Sequence, residues 1–129
     1  MMKLYSSPFS ELFYKQERQL LLASWNECSK DLAEDEVKIE ISKILDYVKE
    51  YPIRNIIVDA RNYVFSDNVK IQNWINRDYV PQLIESGVSK YAIVVKSQNM
   101  QQQKDEIESG DILPVVEYFS SLEEALAWI

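Results

Sequence analysis

The sequence predicts an α/β fold: four successive strand-helix turns forming a mostly parallel sheet, preceded by an N-terminal antiparallel hairpin. Two observations lead there. Apolar runs of strand length, at residues 20–25, 54–59, 91–95 and 115–119, alternate with stretches built to be helical. Hydrophobic residues make up 47% of the 129 and only two glycines occur, so the chain has material for one core and little for linkers. Neither a sequence repeat nor a domain boundary interrupts it, which predicts a single domain over residues 1–129.

The hairpin is read from residues 2–5 and from Leu12, Phe13 and Tyr14, separated by the Ser6-Ser7-Pro8 break and followed by a turn at Glu17-Arg18. Residues 20–25 are almost continuously apolar, as expected of a central strand covered on both faces. From 33 to 51 the period changes. Val37, Ile41, Ile44, Leu45 and Val48 make one apolar stripe, while Lys38, Glu40, Lys43 and Lys49 are placed to face water. Glu34, Asp35 and Glu36 crowd the first turn, where negative charge suits the helix dipole, so we read them as a helix start in preference to a metal site; Pro52 closes the other end.

Residues 54–59 form the next strand, followed by a helix from about 68 to 77 with Ile71, Trp74 and Ile75 on one face. Pro81 is expected to interrupt that helix and open a further turn ending near Gly87. A strand at 91–95 leads to a polar, Gln-rich helix at 97–108, expected to be the loosest element. Residues 115–119 give the last strand. Ser120-Ser121-Leu122-Glu123-Glu124 resembles a capping box for a final helix through Trp128, with Leu122, Ala125, Leu126 and Ile129 on its buried face.

Charge and composition exclude several functions. Fourteen Lys and Arg against twenty-one Asp and Glu give a net charge of -7, which repels nucleic acid and anionic lipid surfaces. With no histidine, Ser-His and Cys-His nucleophiles and ordinary zinc sites are gone; the single Cys28, though close to Lys30, has no partner for a disulfide or a thiolate cluster. No metal and no cofactor is therefore expected, and no enzymatic activity. Nothing reads as a signal peptide or a bilayer span, so the expectation is a cytoplasmic protein without stable membrane insertion.

The candidate site is the strand-to-helix junction "VDARNYVFSDN". Asp59 stands at the carboxyl end of a parallel strand, where open α/β sheets place ligands, and would anchor a polar ligand or a partner's basic group. The blander reading, which we favour, has Asp59 accepting backbone N–H bonds around Arg61-Asn62 and pairing with the Arg61 guanidinium, for which Asp67 is the other partner. Ser66, Asp67 and Asn68 read as a helix N-cap. Trp74 and Tyr79, with Trp25, Trp128, Tyr47, Tyr51 and Tyr91, either fill the layer between helix and sheet or line an apolar pocket. Such a pocket is expected between the Trp74 helix and residues 79–83, where Pro81 would let the chain part from the sheet. Together with Phe65, these residues (Asp59, Arg61, Ser66, Asp67, Asn68, Trp74 and Tyr79) form the candidate surface for a partner or ligand.

The succession of "VDAR" at a strand end, a helix with "IQNWI", then "GVSKYAIVV" and a terminal "FSSLEEALAWI" resembles the SpoIIAA-like family, the STAS-type fold of anti-sigma-factor antagonists, and in particular its stand-alone bacterial branch. The likeness covers most of the chain from Leu20 onward. In phosphorylatable members the corresponding loop ends in an Asp-Ser pair followed by a small residue, and a partner kinase modifies the serine. Asp67-Asn68-Val69 falls at that place, so the resemblance implies that Asn68 occupies the serine position and carries no phosphate; Ser66 does not match the motif. It further implies a non-enzymatic module that binds another protein. A topology shared with CRAL-TRIO lipid carriers implies the alternative, a carrier of a small apolar ligand or lipid. The sheet's edge strands offer a route to a homodimer.

Overall fold

The structure is a computed structural model, and it describes residues 1–27, 33–62, 69–96 and 115–129. The apolar runs do form strands. β1 (Met2–Ser6), β2 (Ser10–Lys15) and β3 (Leu20–Trp25) make an antiparallel meander, and β4 (Asn55–Asp59), β5 (Lys90–Val94) and β6 (Val115–Phe119) continue from β3 in parallel. The six strands lie side by side in chain order, so β3 is interior and β1 and β6 are edges, as the near-continuous apolarity of residues 20–25 requires. Leu4 bulges out of the β1–β2 register, and its carbonyl is taken by the Tyr47 hydroxyl at 2.9 Å. A bulge of this kind blunts an edge strand against pairing with other chains.

Crossovers that step the same way along a sheet, with the usual right hand, deliver their helices to one face. The two described here do so. α1 (Glu34–Glu50) buries Val37, Ile41, Ile44, Leu45 and Val48 against Leu21, Ala23, Ile56 and Val58, in one cluster with Tyr79 and Leu83 from the second crossover. The acidic start of α1 behaves as a cap: Glu36 accepts the Ala33 N–H at 3.2 Å, and Glu34 lies 3.9 Å from Lys38. One expectation for this helix is overturned. Glu40 does not face water but is 8% exposed, because the turn between β1 and β2 covers that flank of the helix and supplies hydroxyl donors to it.

The second crossover corrects another expectation. Pro81 does open a further helical stretch, α3 (Val80–Glu85), which ends just before Gly87 at φ 96°, but it does not interrupt the chain's helical course: α2 (Val69–Trp74) runs through a π turn, Ile75–Tyr79, directly into it. Proline lacks the N–H for an i→i−4 bond and its ring crowds the carbonyl four residues back. The wider turn, marked by Val80 N–H reaching the Ile75 carbonyl, absorbs both problems. The Gln82 side chain then caps the Asp78 carbonyl at 2.8 Å while accepting from Lys49 of α1 at 2.7 Å, which ties the two helices together. Residues 79–83 therefore stay on the sheet, with Tyr79 2% and Leu83 0% exposed.

α4 (Leu122–Trp128) covers the opposite face, over Leu20, Ile57, Ala92 and Val94. Its N-cap Ser121 accepts the Glu124 N–H at 3.2 Å, as the capping-box pattern predicts. At the other end, Arg18 donates to the Leu126 and Ile129 carbonyls at 2.6 and 2.9 Å, and Lys90 donates to the Trp128 carbonyl at 3.0 Å with its ammonium 5.2 Å from the Trp128 ring centre. Arg18 comes from the 3₁₀ turn Gln16–Arg18, which Gln19 closes in the left-handed region at φ 48° so that its carbonyl takes the Arg54 and Asn55 N–H groups. The helix expected at 97–108 lies outside the described residues. No described helix is long and apolar enough to cross a membrane.

Candidate functional site

The carboxyl end of the parallel strands is the end to search. Ser24 of β3, Asp59 of β4, Val94 of β5 and Phe119 of β6 stand in one row there, with Glu11 of β2 beside Ser24. Asp59 is the last residue of its strand. One residue later the backbone is still held, since the Ala60 N–H donates to the Val94 carbonyl at 2.8 Å, so the chain turns sharply with its carboxylate at a fixed place.

That carboxylate is closed by its own loop. The Arg61 backbone N–H and Nε donate to Oδ1 at 3.2 and 2.9 Å, and Nη2 donates to Oδ2 at 2.7 Å. Burial, the largest single influence, pushes the Asp59 carboxyl up, but the bonds from Arg61 together outweigh it and hold it below the ordinary range. The same pairing raises Arg61. Both sequence readings of the pair thus hold at once: a turn cap and a two-pronged ion pair. What remains outward is the guanidinium flank, with the Arg61 side chain 43% exposed against 15% for Asp59.

The aromatic part of the candidate surface sits deeper. The Trp74 ring stacks on Tyr79 with centroids 6.3 Å apart and planes 16° from parallel. Tyr79 meets Tyr91 of β5 edge-on, also at 6.3 Å, and their hydroxyls share a hydrogen bond of 3.2 Å. Burial raises both phenols, Tyr79 well above its ordinary value and Tyr91 up to about 12. These rings are interlocked with a satisfied polar end, Tyr79 buried and Trp74 and Tyr91 packed half-buried against it. In the same register row of the sheet, Tyr14 of β2 lies 4.9 Å from Tyr51 just past α1, and there the buried Tyr14 hydroxyl lacks a partner among the described residues.

Of the sequence candidates, the structure brings Asp59 and Arg61 into direct contact and stacks Trp74 on Tyr79. Phe65, Ser66, Asp67 and Asn68 lie outside the described residues, as do Cys28 and Lys30. Sequence reading missed the Tyr79–Tyr91 hydroxyl pair, whose partners belong to different elements and have no fixed spacing. Comparison with protein-family models, curated proteins and solved structures finds no match to this chain.

Proposed function

We propose that this chain is a non-enzymatic interaction module of STAS type, cytoplasmic and of the stand-alone bacterial kind, which binds another protein through the segment joining β4 to α2 and lacks the phosphorylatable serine of the antagonist branch. One observation favours it. The groups that would do chemistry or enclose a ligand are already used within the fold, Asp59 at the carboxyl rim by Arg61, and Tyr79 by Tyr91 and Trp74. A surface contact needs neither a free carboxylate nor an open pocket, and the outward flank of the Arg61 guanidinium is exposed at the start of that segment.

Affinity capture from the native cell tests this reading. Wild type should retain a partner that Asn68→Arg loses and that Glu50→Lys, at the far end of α1, keeps. An unchanged set of partners with Asn68→Arg would overturn it. Native mass spectrometry separates the carrier alternative: the interaction module purifies at the bare chain mass, whereas a carrier retains a lipid or other apolar ligand.

A further inference from the structure

We propose that a second copy of this chain docks on the part of the sheet that α4 leaves open, in a two-fold dimer that sets Phe13 on Phe13 and Glu11 of each copy against Lys15 of the other. Along β2 the burial alternates. Ser10, Leu12 and Tyr14 are buried on the side of α1, whereas Glu11, Phe13 and Lys15 are only half-buried on the opposite face. α4 covers that opposite face in part: it packs on β4, β5 and β6, and Phe13 joins neither of the two buried clusters. Leu22 and Ser24 of β3, the register partners of Phe13 and Glu11, are half-buried as well.

Three charges surround the Phe13 ring. Lys3 of β1 is its register partner on the other side, with the ammonium 5.7 Å from the ring centre and 2.7 Å from the Glu11 carboxylate. Lys15 has no ionic partner among the described residues. The order along this face of β2 is therefore negative, aromatic, positive at positions 11, 13 and 15. Alternate residues of a strand share a face and stand about 7 Å apart.

That order is self-complementary when two such faces meet in one way. A two-fold axis lying between the sheets and crossing the strands at Phe13 reverses the strand direction, so each Glu11 lies over the other copy's Lys15. An axis along the strands would set Glu11 on Glu11 and is disfavoured. Facing sheets stand about 10 Å apart, a gap filled by two phenyl rings and the alkyl stems of Lys3 and Lys15. The contact is made by side chains of an interior strand, which distinguishes it from pairing of the sheet's edges.

The size of the patch sets the strength. Strands β1 to β3, spaced about 4.8 Å, and about five residues of each give a patch of roughly 14 by 17 Å. The net charge of -7 on each copy opposes approach, and at about 0.15 M salt that repulsion is screened beyond about 8 Å. The dimer is therefore weak and reversible, with Kd between about 10 μM and about 1 mM.

Sedimentation equilibrium of the full chain at about 0.15 M salt tests the dimer, with loading from about 10 μM to about 1 mM. Wild type should pass from monomer to dimer across that range. Lys15→Glu and Glu11→Lys, both at half-buried surface positions, should each weaken self-association at least about tenfold, because like charges then face each other at two places. Mixed in equal amounts, the two variants should associate as tightly as wild type, since a chain acidic at both positions then meets one basic at both. A wild type that stays monomeric to about 1 mM, a Lys15→Glu dimer as tight as wild type, or a mixture no tighter than its parts would overturn the proposal.

Discussion

The two faces of the sheet are held by different means. On the first, α1 and the continuous α2 to α3 run bury a large apolar cluster shared with β2, β3 and β4 that includes Leu83, Ile56 and Leu21 at 0% exposure. On the second, α4 spans only Leu122–Trp128, and the fully buried group is small: Leu20, Ile57, Ala92, Val94 and Ala125. A helix that short has little stability of its own. It is fixed at its start by Ser121 and at its end by Arg18 and Lys90, which satisfy carbonyls that no further helical turn can reach. The first face is thus a packing solution and the second is a capping solution, and they should fail differently.

Truncation on the first face should cost most. Leu83→Ala removes a fully buried side chain and should lower unfolding stability by about 2–5 kcal/mol, read by denaturant titration. On the second face, Arg18→Ala is the sharper probe. It strands the Leu126 and Ile129 carbonyls and should cost about 1.5–3 kcal/mol, with loss of protection confined to α4. Equal loss of protection across both faces would erase the distinction.

The aromatic layer of the first face gives a smaller effect of opposite sign. Tyr14→Phe deletes a buried hydroxyl that has no partner among the described residues, so it should be neutral or stabilising by about 1 kcal/mol in thermal unfolding. Tyr79→Phe removes one half of a satisfied pair and should destabilise. Smallest is the Asp59–Arg61 pair, exposed on one side. Its carboxyl is lowered in the folded state, so its contribution is present above the unfolded value and is lost as pH falls through the folded one. Asp59→Asn should therefore cost at most about 1 kcal/mol at neutral pH, and its difference from wild type should vanish in acid.

The two faces also differ in how plainly the sequence announces them. Residues 20–25 are legible to the residue because a leucine-rich run is bounded by Gln19 and Asn26, and residues 115–119 because Pro114 and Ser120 bracket a β-branched and aromatic run. The α4 cap was legible because Ser121 and Glu124 interact at a spacing of three, and the Asp59–Arg61 turn because its partners are two apart. Glu40 was misread as solvent-facing because its burial comes from residues thirty or more positions away in the hairpin. The run through Pro81 was misread for a different reason: a π turn shifts the helical phase by one residue, and a period of 3.6 has no place for it. Tertiary contacts decided the first case and local backbone geometry the second.

On the proposed reading, the carboxyl rim between β4 and α2 binds a protein partner and the Trp74–Tyr79–Tyr91 layer takes no part in the contact. Backbone amide shifts of the labelled chain, followed while the captured partner is added, test it most directly. Perturbations should run from Asp59 and Arg61 through Lys70 to Trp74, with Tyr79 and Tyr91 unmoved. Shifts centred instead on the opposite rim, at Gln19, Arg54 and Gly87, or spreading through the Tyr79–Tyr91 layer, would contradict it.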